Sequence, residues 1–346
     1  MKRHILVILI CLNAYPSYAQ LFRGEYTTEW QWNLKRKTNW VNLLKLNLTL
    51  PLWNHRGSFE ASTIHVAKTD ESIIEDWQIF SNIEEENNRA AIAILGYIHE
   101  WRECRLFVGI RNVNEDFFTS EVTSLFTNSS CGIFPTISAS YPIANYPLSG
   151  LTIHFDVSKG GWVFKNSLYN GVGYNGWTHH DHPFLIRPKK DGLFNMSQLE
   201  YSYHSGHYFA GTAIHSRHFL TDEEGNISSP EESISKTSCA WWIYAEQPIW
   251  SVGETCVFCM MQYSENTDRE NGCYRYSELG CAYKDRCNQC GLSGQYARFR
   301  QDSEYSLEVT WKRLLNKSLA LQPTFQYITN GKGRFVLFST RLCCVF

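Results

Sequence analysis

Polar and apolar residues alternate one by one along several stretches of this chain. Within 44–50, Leu44, Leu46, Leu48 and Leu50 fall on one face and Lys45, Asn47 and Thr49 on the other. Successive side chains of a β-strand point to opposite faces, so this period predicts two-faced strands. Leu106, Val108 and Ile110 share a face against Arg105, Gly109 and Arg111, and Phe107 breaks the pattern by falling on the polar side. Thr152, His154 and Asp156 share a face within 151–157, and 199–204 and 307–312 repeat the alternation. A soluble strand puts such a polar face in solvent. A transmembrane barrel puts it in the lumen and its apolar face in lipid. Periodicity alone leaves both a sandwich and a barrel open. Between the strands, 170–176 is glycine-rich and 221–235 reads as an acidic exposed loop. The segment 135–150 holds three prolines and is no regular strand, and 70–88 reads as a charged loop or short helix. No internal repeat or linker divides the chain, which predicts one domain over 20–346.

The two ends narrow the choice. Residues 1–19 combine a basic start (Lys2, Arg3), a short apolar run over 5–12 and small residues at Ser17 and Ala19. They read as a cleaved secretory signal peptide. Cys11 lies inside the apolar run, unlike a lipoprotein cysteine. At the other end, Phe338, Thr340, Leu342, Cys344 and Phe346 share a largely apolar face, opposite Ser339, Arg341, Cys343 and Val345. A terminal aromatic on the apolar face of an amphipathic strand resembles the assembly signal of outer-membrane β-barrels. Beyond the leader no apolar run is long enough for a spanning helix, so a membrane-crossing form must be a closed barrel. A net charge of −2 argues against nucleic acid as a partner. The 15% aromatic content suits either an interfacial girdle or a sugar-binding surface.

Four ordered stretches carry a resemblance to a known family. They are Phe107-Val108-Gly109-Ile110-Arg111-Asn112-Val113-Asn114-Glu115-Asp116-Phe117-Phe118; Leu125 to Gly132, continuing through Pro135, Pro142 and Pro147; Ala245-Glu246-Gln247-Pro248-Ile249-Trp250; and 321–328 with Asn330-Gly331 and terminal Phe346. The chain resembles the carbohydrate-selective porins of Gram-negative outer membranes (OprB type). The resemblance implies an all-β transmembrane barrel of about 16 antiparallel strands. It also implies passive diffusion of sugars through an arginine-lined constriction. The implied location is the cell outer membrane, with membrane lipid and the barrel-assembly machinery, reached through Phe346, as partners. The chain departs from the family in its shortness and its many cysteines.

Removing Cys11 leaves an odd set of cysteines, crowded between Cys256 and Cys290 with Cys256-x-x-Cys259 and Cys287-x-x-Cys290 spacings. In an oxidising compartment disulfides are the default. Residues three apart on a strand face opposite ways, so Cys256 and Cys259 read as disulfide partners or buried thiols rather than one metal clamp. His179-His180-Asp181-His182 reads as a polar loop. No metal site, cofactor or catalytic group is expected.

A sugar channel needs donors that replace hydroxyl hydration and aromatic faces that stack on rings. The arginine fork suits this. Alternation turns Arg105 and Arg111 to the lumen, and Glu200, Glu246, Gln247 and Trp250 are further candidates. Trp101 and Trp250 also fit an interfacial girdle. Two other classes remain: a secreted all-β binding or adhesion protein held by disulfides, and an outer-membrane barrel enzyme.

Overall fold

The computed structural model describes residues 21–346 except 36, 54, 55 and 271; the leader expected over 1–19 and Cys11 lie outside the described residues. The chain forms β1 (Leu21–Trp32), β2 (Thr38–Leu52), β3 (Gly57–Lys68), β4 (Asn88–Trp101), β5 (Cys104–Arg111), β6 (Gly150–Lys159), β7 (Trp162–Asn170) and β8 (Leu193–Tyr203). It continues with β9 (Gly206–His215), β10 (Ser238–Val252), β11 (Thr255–Asn266), β12 (Cys273–Lys284), β13 (Asn288–Phe299), β14 (Ser303–Asn316), β15 (Leu319–Asn330) and β16 (Gly333–Val345). These strands pair in sequence order, and β16 pairs antiparallel with β1 to close a barrel. Closure leaves no sheet edge, the condition for a sheet in lipid.

Connections alternate in length. One end carries tight turns; Gly160 and Gly161 there both have positive φ (58° and 83°), which the twist of a two-residue hairpin requires. The other end carries the long connections, 69–87, 112–149, 171–192 and 216–237.

The terminal strand lies as its alternation predicts. Arg341 and Ser339 are buried inside, whereas Leu342 and Phe346 are exposed outside. Gly24 and Phe346 exchange backbone hydrogen bonds of 2.8 and 2.9 Å. The Phe346 ring lies where a Cβ on residue 24 would be, 2.4 Å from its nearest ring carbon. Glycine at 24 therefore makes the seat for the terminal aromatic. Exposed rings gather at both outer rims: Trp101, Trp162, Tyr203, Trp250 and Trp311 near the tight turns, Trp32, Trp40, Tyr305 and Tyr327 near the other end. Two aromatic girdles flanking an apolar band mark the bilayer interfaces. Among the described residues no helix is long and apolar enough to cross a membrane.

The interior departs from a uniformly polar lumen. The 112–149 connection folds into the barrel and brings Phe117, Phe118, Phe126, Phe134 and Tyr141 against Phe194, Trp242, Phe258, Met260 and Tyr276 of the wall, forming a buried apolar core. Phe118 sits at φ 63°, a conformation costly for a bulky residue. It is held there edge-on to Phe134 (5.2 Å) and Trp242 (5.0 Å). The 69–87 connection also enters. Glu304 accepts the backbone N–H groups of Trp77 (2.8 Å) and Gln78 (2.9 Å). Glu308 accepts those of Thr127 (2.6 Å) and Asn128 (3.0 Å). Buried loop backbone must be paired, and inward carboxylates from β14 supply the acceptors.

All eleven described cysteines are unpaired. Among the described residues no disulfide joins the strands. Cys256 packs against the interior core and Cys259 is exposed on the other face, as the spacing predicts. Cys131 is buried in the loop core, donates to Glu278 (3.2 Å) and accepts from Gln295 (3.0 Å); burial pushes its pKa well up, so it remains a neutral donor.

Candidate functional site

The polar side of the interior is built around the exit of β5. Phe107, the residue that broke the alternation, does face inward and is fully buried. Its ring rests where a Cβ at Gly96 would be, 2.5 Å away, and the Arg111 guanidinium carbon lies over it at 4.8 Å from the centroid. Gly96 thus makes room for an aromatic shelf, and the shelf carries an arginine.

The chain then turns through Val113–Glu115, pinned by the Val113 N–H to Ala144 O bond of 2.7 Å. This turn delivers Asp116 to both arginines: Arg105 Nη2 lies 3.2 Å from Asp116 Oδ1, and Arg111 Nε 3.1 Å from Oδ2. Arg105 Nε also donates to Asp156 Oδ2 at 2.7 Å. His154 stands 2.6 Å from Asp156 and 2.6 Å from Ser167 Oγ. Lys165 donates to the Asp116 carbonyl (2.9 Å) and pairs with Glu200 (2.6 Å), which approaches His207 at 3.6 Å. On the other flank Lys45 pairs with Glu115 at 2.7 Å. The result is a continuous belt of paired charges from β2 to β9.

The belt is not sealed. The Arg105 side chain is 32% exposed and that of Lys45 26%. Arg111 is nearly buried, yet its Nη1 meets no hydrogen-bond partner among the described residues. The Arg111 Nη1 is itself shut off from solvent, whereas the partly exposed Arg105 guanidinium beside carboxylate oxygens can donate to one hydroxyl while its neighbour accepts from the next. That is a pattern suited to a polyol.

Arg105, Arg111 and Glu200 therefore stand together in one belt. Glu246 does not join it. It is buried beneath the folded loop, accepting from Ser120 Oγ and from Tyr244 OH (2.7 Å). Gln247 faces the opposite way from Glu246, is exposed, and accepts from Tyr208 on the outer wall. Trp250 also faces outward, shifted by the irregularity between Pro248 and Trp250, in the girdle near the tight turn. The alternation rule separates Glu246 from Gln247 by one residue; the loop covering Glu246 leaves no periodic trace. Sequence reasoning missed Asp116, Glu115, Lys165 and His207 as belt members. The polar side of alternation pointed to Lys45, His154 and Asp156 without showing that they converge.

At the long-loop end, a cavity of about 380 Å³ opens beside Asp76, Trp77, Glu84, Glu85, Tyr146 and Glu224. Burial raises the carboxyl pKa of Asp76 well above its ordinary value, with the nearby Glu304 charge adding to it. Burial also raises those of Glu84 and Glu85. Within 179–182, Asp181 is taken up by the Gly176 N–H at 3.1 Å.

The model of the carbohydrate-selective porin, OprB family, matches residues 21–340. Among solved structures, the high-pH structure of Pseudomonas putida OprB is similar, with a TM-score of 0.75 and 12% identity over 94% of each chain. The low-pH structure of the same protein gives a TM-score of 0.60 and 14% identity, over 94% of this chain and 92% of that one. A loop L8 deletion mutant of OmpT from Vibrio cholerae gives 0.61 at 6% identity, over 95% of this chain and 100% of that one. No curated protein matches the sequence.

Proposed function

The chain belongs to the carbohydrate-selective porin, OprB family, and on that premise we propose that sugars cross its barrel along the charged belt at Arg105 and Arg111. It is an outer-membrane porin through which sugars diffuse passively. The observation that carries the route is the contrast in the interior. Apolar core fills the β8–β13 side, whereas the belt keeps partly exposed charged groups on the β2–β9 side. Water and polyols follow the side that offers hydrogen bonds.

In this reading Arg105 donates to sugar hydroxyls from the more exposed position, and Arg111, on its shelf on Phe107, holds the shared Asp116 behind it. Glu200 holds Lys165 at the belt's far flank. Gln247 and Trp250 sit on the lipid-facing wall and leave the solute path alone. The gradient alone drives flux and no residue performs catalysis. Residues 1–19 leave as a signal peptide, 20–346 form the single barrel domain, and Phe346 is offered to the barrel-assembly machinery. Liposome swelling tests the reading. Proteoliposomes should swell in monosaccharide and disaccharide solutions, more slowly for the Arg105→Ala and Arg111→Ala pair when sugar is dilute. Swelling indistinguishable from empty liposomes would overturn it.

A further inference from the structure

Away from the belt, two loops of the long-connection end meet at a cluster no part of the channel uses. His218 lies in the 216–237 connection, two residues beyond the Ser216 that follows β9. Its backbone is clasped to Ile234 by two 2.9 Å hydrogen bonds. Asp268 and Glu270 lie in the short 267–272 connection, where the Glu270 N–H donates to Asp268 Oδ1 at 3.1 Å. One ligand atom from each of His218, Asp268 and Glu270 falls within 4.8 Å of the others.

His218 gives the second observation. It is only 1% exposed, and neither ring nitrogen has a hydrogen bond of acceptable geometry among the described residues. Its Nδ1 nevertheless sits 2.9 Å from Asp268 Oδ2. A buried imidazole pressed off-axis against a carboxylate is a poor hydrogen bond. It is the geometry of two ligands on one ion: bonds of about 2.0–2.1 Å place neighbouring ligand atoms about 2.9–3.4 Å apart.

We propose that His218, Asp268 and Glu270 form a binding site for a divalent transition cation of the zinc type, which ties the 216–237 loop to the 267–272 loop. One imidazole and two carboxylates suit such an ion, with water completing the sphere. Lys236 marks the place of the positive charge. Its ammonium lies 3.1 Å from Asp268 Oδ2, and its side chain is 61% exposed. A dication displaces it into solvent and takes over the charge balance.

The clasp reaches the channel mouth. Arg300 donates to the Thr221 carbonyl at 2.8 Å, and Gly225 packs on the Trp77 ring at the cavity between the loops. A cation at the root of the 216–237 loop therefore fixes the segment that roofs this cavity.

The test uses the full barrel folded in detergent micelles. Its thiols are alkylated to remove competing ligands, residual metal is stripped with EDTA, and zinc chloride is titrated in by calorimetry. One zinc per chain should bind. Affinity should fall at least tenfold in His218→Ala and in Glu270→Gln, whose exposed side chain is not needed for folding. Lys236→Ala should bind zinc more tightly than the unaltered chain. Zinc should also slow proteolysis within 216–237 in the unaltered chain and not in Glu270→Gln. Absence of zinc binding would overturn the assignment. So would binding with the same stoichiometry and affinity in Glu270→Gln and Lys236→Ala.

Discussion

The two sides of the barrel interior use the same residue types for opposite ends. Toward β14, Glu304 and Glu308 are wholly buried and spend both oxygens on loop backbone, so their charge is locked into holding segments 69–87 and 112–149. Toward β5, Asp116 and Asp156 meet Arg105, whose side chain stays partly open, beside the nearly buried Arg111. The difference lies in the loop that crosses between them. Its first residues, through Asp116, join the charged belt; from Phe117 onward it becomes an apolar wedge packed on Trp242 and Tyr276. One segment thus closes one side and furnishes the other.

The sharpest way to break this division is to remove the wedge's partner. Trp242 is fully buried against Phe118 and Phe134. Trp242→Ala should cost about 3–5 kcal/mol of loop docking. Single-channel conductance should rise, and the urea midpoint should fall. The next largest effect is expected on the open side. Asp116→Asn leaves Arg111 with no carboxylate within ion-pair distance and weakens the hold on Arg105. Breaking a buried pair from one side costs about 3–5 kcal/mol at most, less here because Arg105 keeps Asp156. Reversal potentials in a salt gradient should shift toward anions. Glu308→Gln keeps one acceptor oxygen and should cost about 1–3 kcal/mol, read as noisier conductance as segment 125–128 frees itself. Arg105→Ala, at a partly exposed pair, should change stability by about 0–1 kcal/mol while weakening block by sugar.

The smallest effect is a pH dependence. The raised Asp76 carboxyl binds its proton more tightly in the docked loop than in the free one. Its contribution to docking is therefore complete at acidic pH and declines as pH rises from the ordinary carboxylate range through the raised value. Asp76→Asn, permanently neutral, should flatten that part of the thermal-stability profile between acidic and neutral pH.

Strand alternation carried the outer architecture, because lipid on one side and polar groups on the other impose a period of two on 44–50 and on the terminal strand. It was weakest where loops enter the barrel. On β4, Ile94 and Ile98 pack inward with Ile64, Phe107 and Tyr146, so both faces are apolar and the period fades. Arg105 and Arg111 were legible as inward residues by parity alone. Their convergence with Asp116 depends on a turn whose direction is set by long-range packing, the Val113–Ala144 bond among it. Glu246 has the right parity and the wrong surroundings, since Ser120 of the loop covers it. The cysteines, read as disulfide partners or buried thiols, are all free among the described residues, Cys259 and Cys281 standing opposite each other on β11 and β12 without a bond.

The most direct test of the solute route is single-channel recording of the refolded protein in a planar bilayer with glucose titrated in. The account predicts stepwise conductance that glucose reduces in a saturable way, with block several-fold weaker in Arg111→Ala and retained in Glu246→Gln. Glucose block unchanged by Arg111→Ala and abolished by Glu246→Gln would contradict it, placing the solute path on the packed side of the barrel.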